Sequence, residues 1–484
     1  MPLNLQLSGN PRYQPKALQP YFGYDNQFKY VAEVEIATLE TLADVGVIPP
    51  ADVVLITPEL RTSLSDILTT EVDKVESEVT KHDVRAWIRL AQDRIAPRLR
   101  PWIHLPNTSY DVIDTARTLQ FFRAHHYVLK AMTKMVIGHL CELVRKYSTT
   151  VQIGRTHGQH ALPITVGFWL ATILSRILDN IEEANASAQK LVGKISGAVG
   201  AYNSHRGPGI TKRCGSIPFE DRVLWKLALR PSRISTQILP PESLARYLWN
   251  LILLSASLGQ FGRDGRHLMR TEIAEIGEPF DSTQTGSSTM AQKRNPINFE
   301  NLEGTWLKTK CEFQKVLETL ITDHQRDLVG SSIYRDFPTI VVNVVLQLGT
   351  LLREKDGVPF INRITVNEAA CKRNFEMQGD LILAELMYIV LQMSGFQGDG
   401  HELVNREAVA GVGKGFTIFE ATRTALMTKG YLGELKQFDQ FLTTIPEETL
   451  EMLMNSKVEN YIGFAVEKSL EIVSLAKDYL YRQE

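Results

Sequence analysis

Residues 165–194 read TVGFWLATILSRILDNIEEANASAQKLVGK, a long run without a proline. Leu170, Leu174, Ile177, Ile181 and Ala184 recur at steps of three and four, the repeat of one face of an α-helix. The stretch predicts a helix from about Thr165 to about Lys194. Helices of that length bury their apolar stripe against partners of similar length, as in a bundle. The same spacing returns in Val128, Met132, Met135, Leu140 and Val144, and again in Leu244, Leu248, Leu251, Leu254, Leu258 and Phe261. It returns once more near the end, in Ile462, Val466, Leu470, Val473 and Leu480. Strand signals are few: Val53-Val54-Leu55-Ile56 is short and ambiguous. The fold class expected is all-α. Breaks at Gly207-Pro208-Gly209, Asp336-Phe337-Pro338, Gly395 to Gly400 and Gly411 to Gly415 suit three helical domains. These are an N-terminal unit over 1–115, a central long-helix bundle over 116–365 with a loop at 284–300, and a C-terminal unit over 366–484.

The composition narrows the function classes. The 484 residues are 44% hydrophobic and 22% charged, which excludes a disordered chain. A net charge of −2 gives no bulk electrostatic reason to expect nucleic acid or an acidic membrane as partner. Cys141, Cys214, Cys311 and Cys371 are far apart and form no CxxC pair, so they read as buried free thiols in a reducing compartment. The first residues, Met1-Pro2-Leu3-Asn4-Leu5, lack the pattern of a signal peptide. The most apolar stretch, Leu248 to Phe261, is too short and too polar to span a bilayer. A cytoplasmic protein is expected.

The stretch richest in chemistry is Gly286-Ser287-Ser288-Thr289-Met290-Ala291-Gln292-Lys293-Arg294-Asn295-Pro296. A hydroxyl beside glycine can swing, an ammonium lowers the cost of an alkoxide, and loop amides with Asn295 can bind a carboxylate. A Gly-Ser-Ser turn is also what a solvated loop looks like. In Gly154-Arg155-Thr156-His157-Gly158-Gln159-His160, His157 is accessible and easily oriented, and an ordinary imidazole exchanges protons near neutral pH. A capping or core histidine is the plainer reading. The three-residue spacing of His157 and His160, with no HExxH acid, makes a metal site a poor one.

Lys81-His82-Asp83 sets a carboxylate beside an imidazole, and His104 precedes Thr108-Ser109 with Asp111 and Asp114 following. Thr108-Ser109 before acids is the pattern of a helix N-terminus, which caps the helix and also binds anions. Gln325-Arg326-Asp327-Leu328-Val329-Gly330-Ser331-Ser332-Ile333-Tyr334-Arg335 places Ser331 and Arg335 four apart, able to grip one phosphate if helical. A solvated face with a local ion pair to Asp327 is the alternative. Gly411-Val412-Gly413-Lys414-Gly415 fails as a phosphate loop, because Ala408 and Gly415 stand where Gly and Ser or Thr are needed. His125-His126 and Glu182-Glu183 read as surface features.

Three of these motifs, in this order, carry a family resemblance: Thr108-Ser109 with Asp111, Thr156-His157-Gly158-Gln159, and the Gly286 loop. The last resembles the GSSxMPxKxN signature of the fumarase/aspartase superfamily of lyases. The set is similar to the adenylosuccinate lyase family within it. Arg12-Tyr13, Lys81-His82-Asp83, Gly193 to Gly200, Ser235-Thr236-Gln237 and Gln325 to Arg335 extend the match to about residue 370. The resemblance implies an all-α homotetramer whose central helices form a common bundle, with active sites shared between subunits. It implies Ser287 as base, His157 as acid and Glu300 as the glutamate that orients it. Lys293 and Asn295 would hold the succinyl carboxylates with Thr108, Ser109 and Ser288. Arg12, Tyr13, Arg326, Ser331 and Arg335 would hold the phosphate and neighbouring groups of a nucleotide. Lys81, His82, Asp83 and His104 would line the site, and Gln237 and Asn301 would contact substrate.

The reaction implied is elimination of fumarate from a succinylated purine nucleotide or its ribotide precursor, with no metal or organic cofactor. Met290-Ala291-Gln292-Lys293 departs from the family's usual Met-Pro-His-Lys, and losing the proline frees the backbone there. Two other readings stand beside this one. One is a superfamily lyase for a different N-succinyl compound; the other is a lyase scaffold without catalysis.

Overall fold

The computed structural model describes residues 13–280, 290 and 292–482. The main helices are α1 (Gln27–Asp44), α2 (Asp83–Arg94), α3 (Ser109–Ala124), α4 (Lys130–Lys146), α5 (Val166–Ala188), α6 (Glu242–Leu268), α7 (Ile297–Glu318), α8 (Pro338–Leu352) and α9 (Glu368–Glu376). Among the described residues, strands occur only as two-stranded pairs. The longest pair is a hairpin of β1 (Val151–Thr156) and β2 (Gln159–Thr165). Helix therefore dominates, as the periodicity predicts, and the hairpin is the departure from it.

Two compact units result, each drawn from three stretches of chain. The first holds the chain up to Val136, Arg176–Arg263 and Ile297–Pro359. The second holds Ile137–Ser175, Asp264–Pro296 and the chain from Phe360.

In the first unit, α1 buries Phe28, Val31, Leu39 and Leu42 against Trp87, Leu99, Val112 and Leu119. Burial of each such side chain contributes about 1.5–3 kcal/mol against its exposed state. Among the acids buried in this unit is Glu35, which is 1% exposed and pairs with His104. Helices α6, α7 and α8 meet around Gln347, which is fully buried. Its carbonyl accepts from Ser255 Oγ at 2.7 Å and its amide donates to Leu302 O at 2.9 Å. Glycine allows α6 to approach α7 this closely, since a Cβ on Gly262 would meet Phe299 O at 2.6 Å. The second unit has its own core, in which Ile153 of β1 joins Phe375, Leu383, Met387 and Phe438.

Three expectations need correction. Helix α5 ends at Ala188 rather than near Lys194, because Val192–Gly193 pairs in parallel with Arg230–Pro231. Lys194 then turns inward to Asp111. His125 is 3% exposed, not a surface residue. The chain passes from α3 to α4 through a π-helical turn, His125–Leu129. The wider turn shifts the helix phase and brings His125 onto Asn185 Oδ1 at 2.8 Å and the Tyr247 ring at 5.3 Å. Cys311 is exposed on α7, whereas the other three thiols are buried.

Candidate functional site

The N-terminus of α3 gathers several of the singled-out residues of the first unit. Thr108 is the extended N-cap residue, and its N–H donates to the Asp111 carboxylate at 2.8 Å. Ser109 Oγ lies 3.5 Å from His82 Nε2. His82 is itself the N-cap of α2, with its Nδ1 3.2 Å from Asp83 and 3.5 Å from the Arg85 N–H. Lys81 sits just before it in a left-handed conformation and donates to Ser77 O.

Next along α3, Tyr110 OH approaches Ser331 Oγ at 3.5 Å. The Arg326 guanidinium stacks 3.4 Å over the Tyr110 ring and donates to Gln237 Oε1 at 2.8 Å. A cation on an aromatic face is attracted by the ring quadrupole, so Tyr110 and Gln237 together fix Arg326. Four separate stretches of sequence, at 81–83, 108–110, 237 and 326–331, thus converge on one helix start. Ser331 lies in a short helix, Val329–Ile333, and Tyr334–Asp336 continues it as a 3₁₀ turn. Arg335 faces a cavity of about 430 Å³ whose lining includes Asp83, Asp73, Arg117 and Tyr334. Among the described residues Asp327 pairs with no arginine: its carboxylate accepts the N–H groups of Val329 and Asp323 instead.

The α3 N-terminus is held from behind by a buried ion pair. Asp111 and Lys194 are both fully buried and hydrogen-bonded to each other. Asp111 also accepts the backbone N–H groups of Ser196 at 3.0 Å and Gly197 at 3.2 Å. Thr115 exchanges two further bonds with the Lys194 backbone, at 2.9 and 3.0 Å. The sequence offers Asp111 as a helix acid and part of the family motif, and Lys194 within the Gly193 to Gly200 match, but does not pair the two. The signal available was a lysine inside the small and apolar run Val192-Gly193-Lys194-Ile195.

His104 has a left-handed backbone, φ 68°. Its Nδ1 is 2.5 Å from Glu35, and its N–H donates to the other carboxylate oxygen at 3.1 Å. Burial opposes protonation of this imidazole, but the charge and hydrogen bond of Glu35 outweigh it and raise the pKa above the ordinary value. Tyr13 is exposed. Arg12, Ser287 and Ser288 lie outside the described residues.

In the second unit, His157 and Gly158 form the two-residue turn between β1 and β2. Their φ values are 53° and 77°, both positive. This is the backbone of a type I′ hairpin turn, and it leaves the imidazole exposed at the tip. One extra residue in β2 makes a bulge below the tip, between the Ile153–Pro163 and Arg155–His160 pairs. Gly154 permits it, because a Cβ there would meet Leu162 O at 2.8 Å. Lys293 is exposed, and its N–H donates to Met290 O at 3.2 Å. Asn295 follows, half-buried. Glu300 and Asn301 stand exposed in the first turn of α7, in the first unit, where Asn301 Oδ1 accepts from Thr350 Oγ1 at 3.3 Å.

Among the described residues no group of three or more His, Cys, Asp and Glu side chains is placed to hold a metal ion. No helix among them is long and apolar enough to cross a membrane.

The family model described as "Lyase" matches residues 22–308. Adenylosuccinate lyase of Archaeoglobus fulgidus is 30% identical over 97% of this chain and 98% of its own length. That of Pyrococcus horikoshii is 31% identical over 98% and 97%. The crystal structure of a fumarate lyase from Mesorhizobium sp. BNC1 superposes with a TM-score of 0.76 at 20% identity, covering 97% of this chain and 99% of that one, a likeness of fold. With the two relatives matched nearly end to end and the family model over more than half of its length, the chain belongs to the adenylosuccinate lyase family.

Proposed function

We propose that this lyase eliminates fumarate from adenylosuccinate to give AMP, and from the succinylated aminoimidazole carboxamide ribotide, in purine biosynthesis. The observation that carries the reading is the convergence of His82, Ser109, Gln237, Arg326 and Ser331 on the start of α3. Fixed donors beside a helix N-terminus suit an anionic substrate. Arg335, on the next turn after Ser331, would extend the same grip to a phosphate.

In this reading Ser287 removes the proton from the carbon beside a succinyl carboxylate, and the electron pair left there forms the fumarate double bond. The C–N bond breaks, and His157 gives a proton to the departing nitrogen, so the amine leaves neutral. Negative charge that builds on the carboxylate would be met by Lys293, Asn295, Thr108, Ser109 and Ser288, donors aimed before the reaction begins. Glu300 would orient His157, while Arg12, Tyr13 and Arg326 would grip the nucleotide, lined by Lys81, His82, Asp83 and His104 and contacted by Gln237 and Asn301. General acid and base catalysis supply roughly 10² to 10⁴ each, which leaves a large share to these donors. The protein would work in the cytoplasm as a homotetramer with shared sites.

The test is to add purified protein to adenylosuccinate and follow AMP and fumarate by ultraviolet absorbance and chromatography. Equal amounts of both products are expected. A folded protein that makes neither would refute the substrate assignment and direct attention to other N-succinyl compounds.

A further inference from the structure

Glu275 belongs to none of the motifs above, yet it is one of the most heavily bonded side chains in the second unit. It is fully buried. Its Oε1 accepts from Arg155 Nη2 at 2.6 Å and Asn374 Nδ2 at 2.8 Å. Its Oε2 accepts from Gln152 Nε2 at 2.7 Å and Arg155 Nη1 at 3.0 Å. Each oxygen takes two donors, which fills the acceptor capacity of a carboxylate.

Two of the three donating residues lie on β1, and Arg155 is two residues before His157. The third, Asn374 on α9, also donates to Ile273 O at 2.8 Å, and Arg373 donates to Ile273 O and Glu272 O. The Glu275 backbone is tied as well, its N–H to Leu268 O at 3.0 Å and its carbonyl to the Asn367 N–H at 2.8 Å. A tight two-residue turn passes the orientation of its flanking strand directly to its tip. The carboxylate that fixes β1 therefore also fixes the strand end from which the backbone of His157 turns.

We infer that Glu275 is a positioning residue for His157, holding the hairpin through Arg155 and Gln152 so that the imidazole meets the leaving nitrogen. This rests on the acid role of His157 proposed above. Glutamine at 275 keeps the shape but offers one acceptor and one donor group, so two of the four incoming donors would face an N–H. It also leaves the Arg155 guanidinium, 14% exposed, without its anion.

The test compares the full-length protein with Glu275→Gln, Glu275→Asp, His157→Ala and the double variant Glu275→Gln/His157→Ala. Amide hydrogen exchange of residues 151–165 is expected to rise at least about tenfold in Glu275→Gln, with α1 and α8 unchanged. On adenylosuccinate, kcat is expected to fall on the order of 10²-fold, with KM within about threefold. Glu275→Asp, which keeps the charge, recovers part of that loss. In the His157→Ala background Glu275→Gln costs no further rate, because a group acting only through His157 has nothing left to act on.

Glu275→Gln with wild-type kcat, or with the same loss in both backgrounds, overturns the inference. If the wild-type protein does not turn over adenylosuccinate, the functional reading fails on its own. Hydrogen exchange still decides then, and unchanged protection at 151–165 in Glu275→Gln overturns the positioning role.

Discussion

Replacing a buried ion pair by apolar residues is often harmless or even stabilising, but the Asp111–Lys194 pair is expected to break that rule. Lys194→Met removes the ammonium and leaves the Asp111 carboxylate fully buried. Breaking such a pair from one side costs about 3–5 kcal/mol. Three backbone N–H groups, from Thr108, Ser196 and Gly197, still reach Asp111, so the lower end of that range applies. The double variant Asp111→Leu/Lys194→Met removes both charges and strands those three amides. Two of them, Ser196 and Gly197, are buried; at about 1–3 kcal/mol for each unsatisfied buried donor the loss is about 2–6 kcal/mol, so the second substitution rescues little. Urea unfolding followed by far-ultraviolet circular dichroism and tryptophan fluorescence measures both. Because Asp111 sets the start of α3, both variants are also expected to raise KM for adenylosuccinate. A double variant within about 1 kcal/mol of wild type would refute the amide argument and reduce Asp111 to an ordinary buried charge.

Further outcomes follow from other parts of the molecule. Ser287→Ala and His157→Ala are each expected to lower turnover by at least about 10²-fold while circular dichroism stays native, and near-native rates in either would remove that residue from the mechanism. Burial pushes the pKa of His125 down to about 4. The stability of its neutral form is therefore full above the unfolded value of about 6.5 and is lost as pH falls from there towards 4, on the order of 3 kcal/mol in all. Urea midpoints from pH 7 to 4 should drop more steeply in wild type than in His125→Gln, and equal slopes would exclude His125 as the source. Gly262→Ala puts a methyl 2.6 Å from a backbone carbonyl and should destabilise by about 1–3 kcal/mol. Gly138→Ala, in α4 with open space around it, should stabilise by about 0.5–1 kcal/mol, and the same urea titrations read both.

The helices were legible because their stripes repeat over many turns, and burial needs only that repeat. The hairpin was not. Gly154-Arg155-Thr156-His157-Gly158-Gln159-His160 alternates no apolar residues, so nothing local marks a strand. What holds it is a carboxylate 120 positions away, beyond the reach of any sequence window. Lys194 has the same character: a lysine after Gly193 looks solvated until Asp111, 83 positions earlier, is known to face it. The residues around α3 were easier to pick out, since Thr108-Ser109 before Asp111 announces a helix start on its own. That Gln237, Arg326 and Ser331 all reach that start was not readable from their neighbours. For the cysteines, burial was right for Cys141, Cys214 and Cys371, whereas Cys311 falls on the exposed side of α7.

The turn that presents His157 has a consequence for anyone improving this protein. Its first position asks for a left-handed residue, and Asn before Gly is the pair that such turns prefer. His157→Asn should thus be tolerated or even favoured by the backbone while removing the imidazole. With His157 as the proposed acid, a library ranked by heat resistance alone is expected to drift towards that change and to return sturdier molecules that no longer turn over substrate. On the acid role proposed for His157, the histidine at this tip serves turnover rather than stability, and any engineering scheme that scores stability should hold position 157 constant.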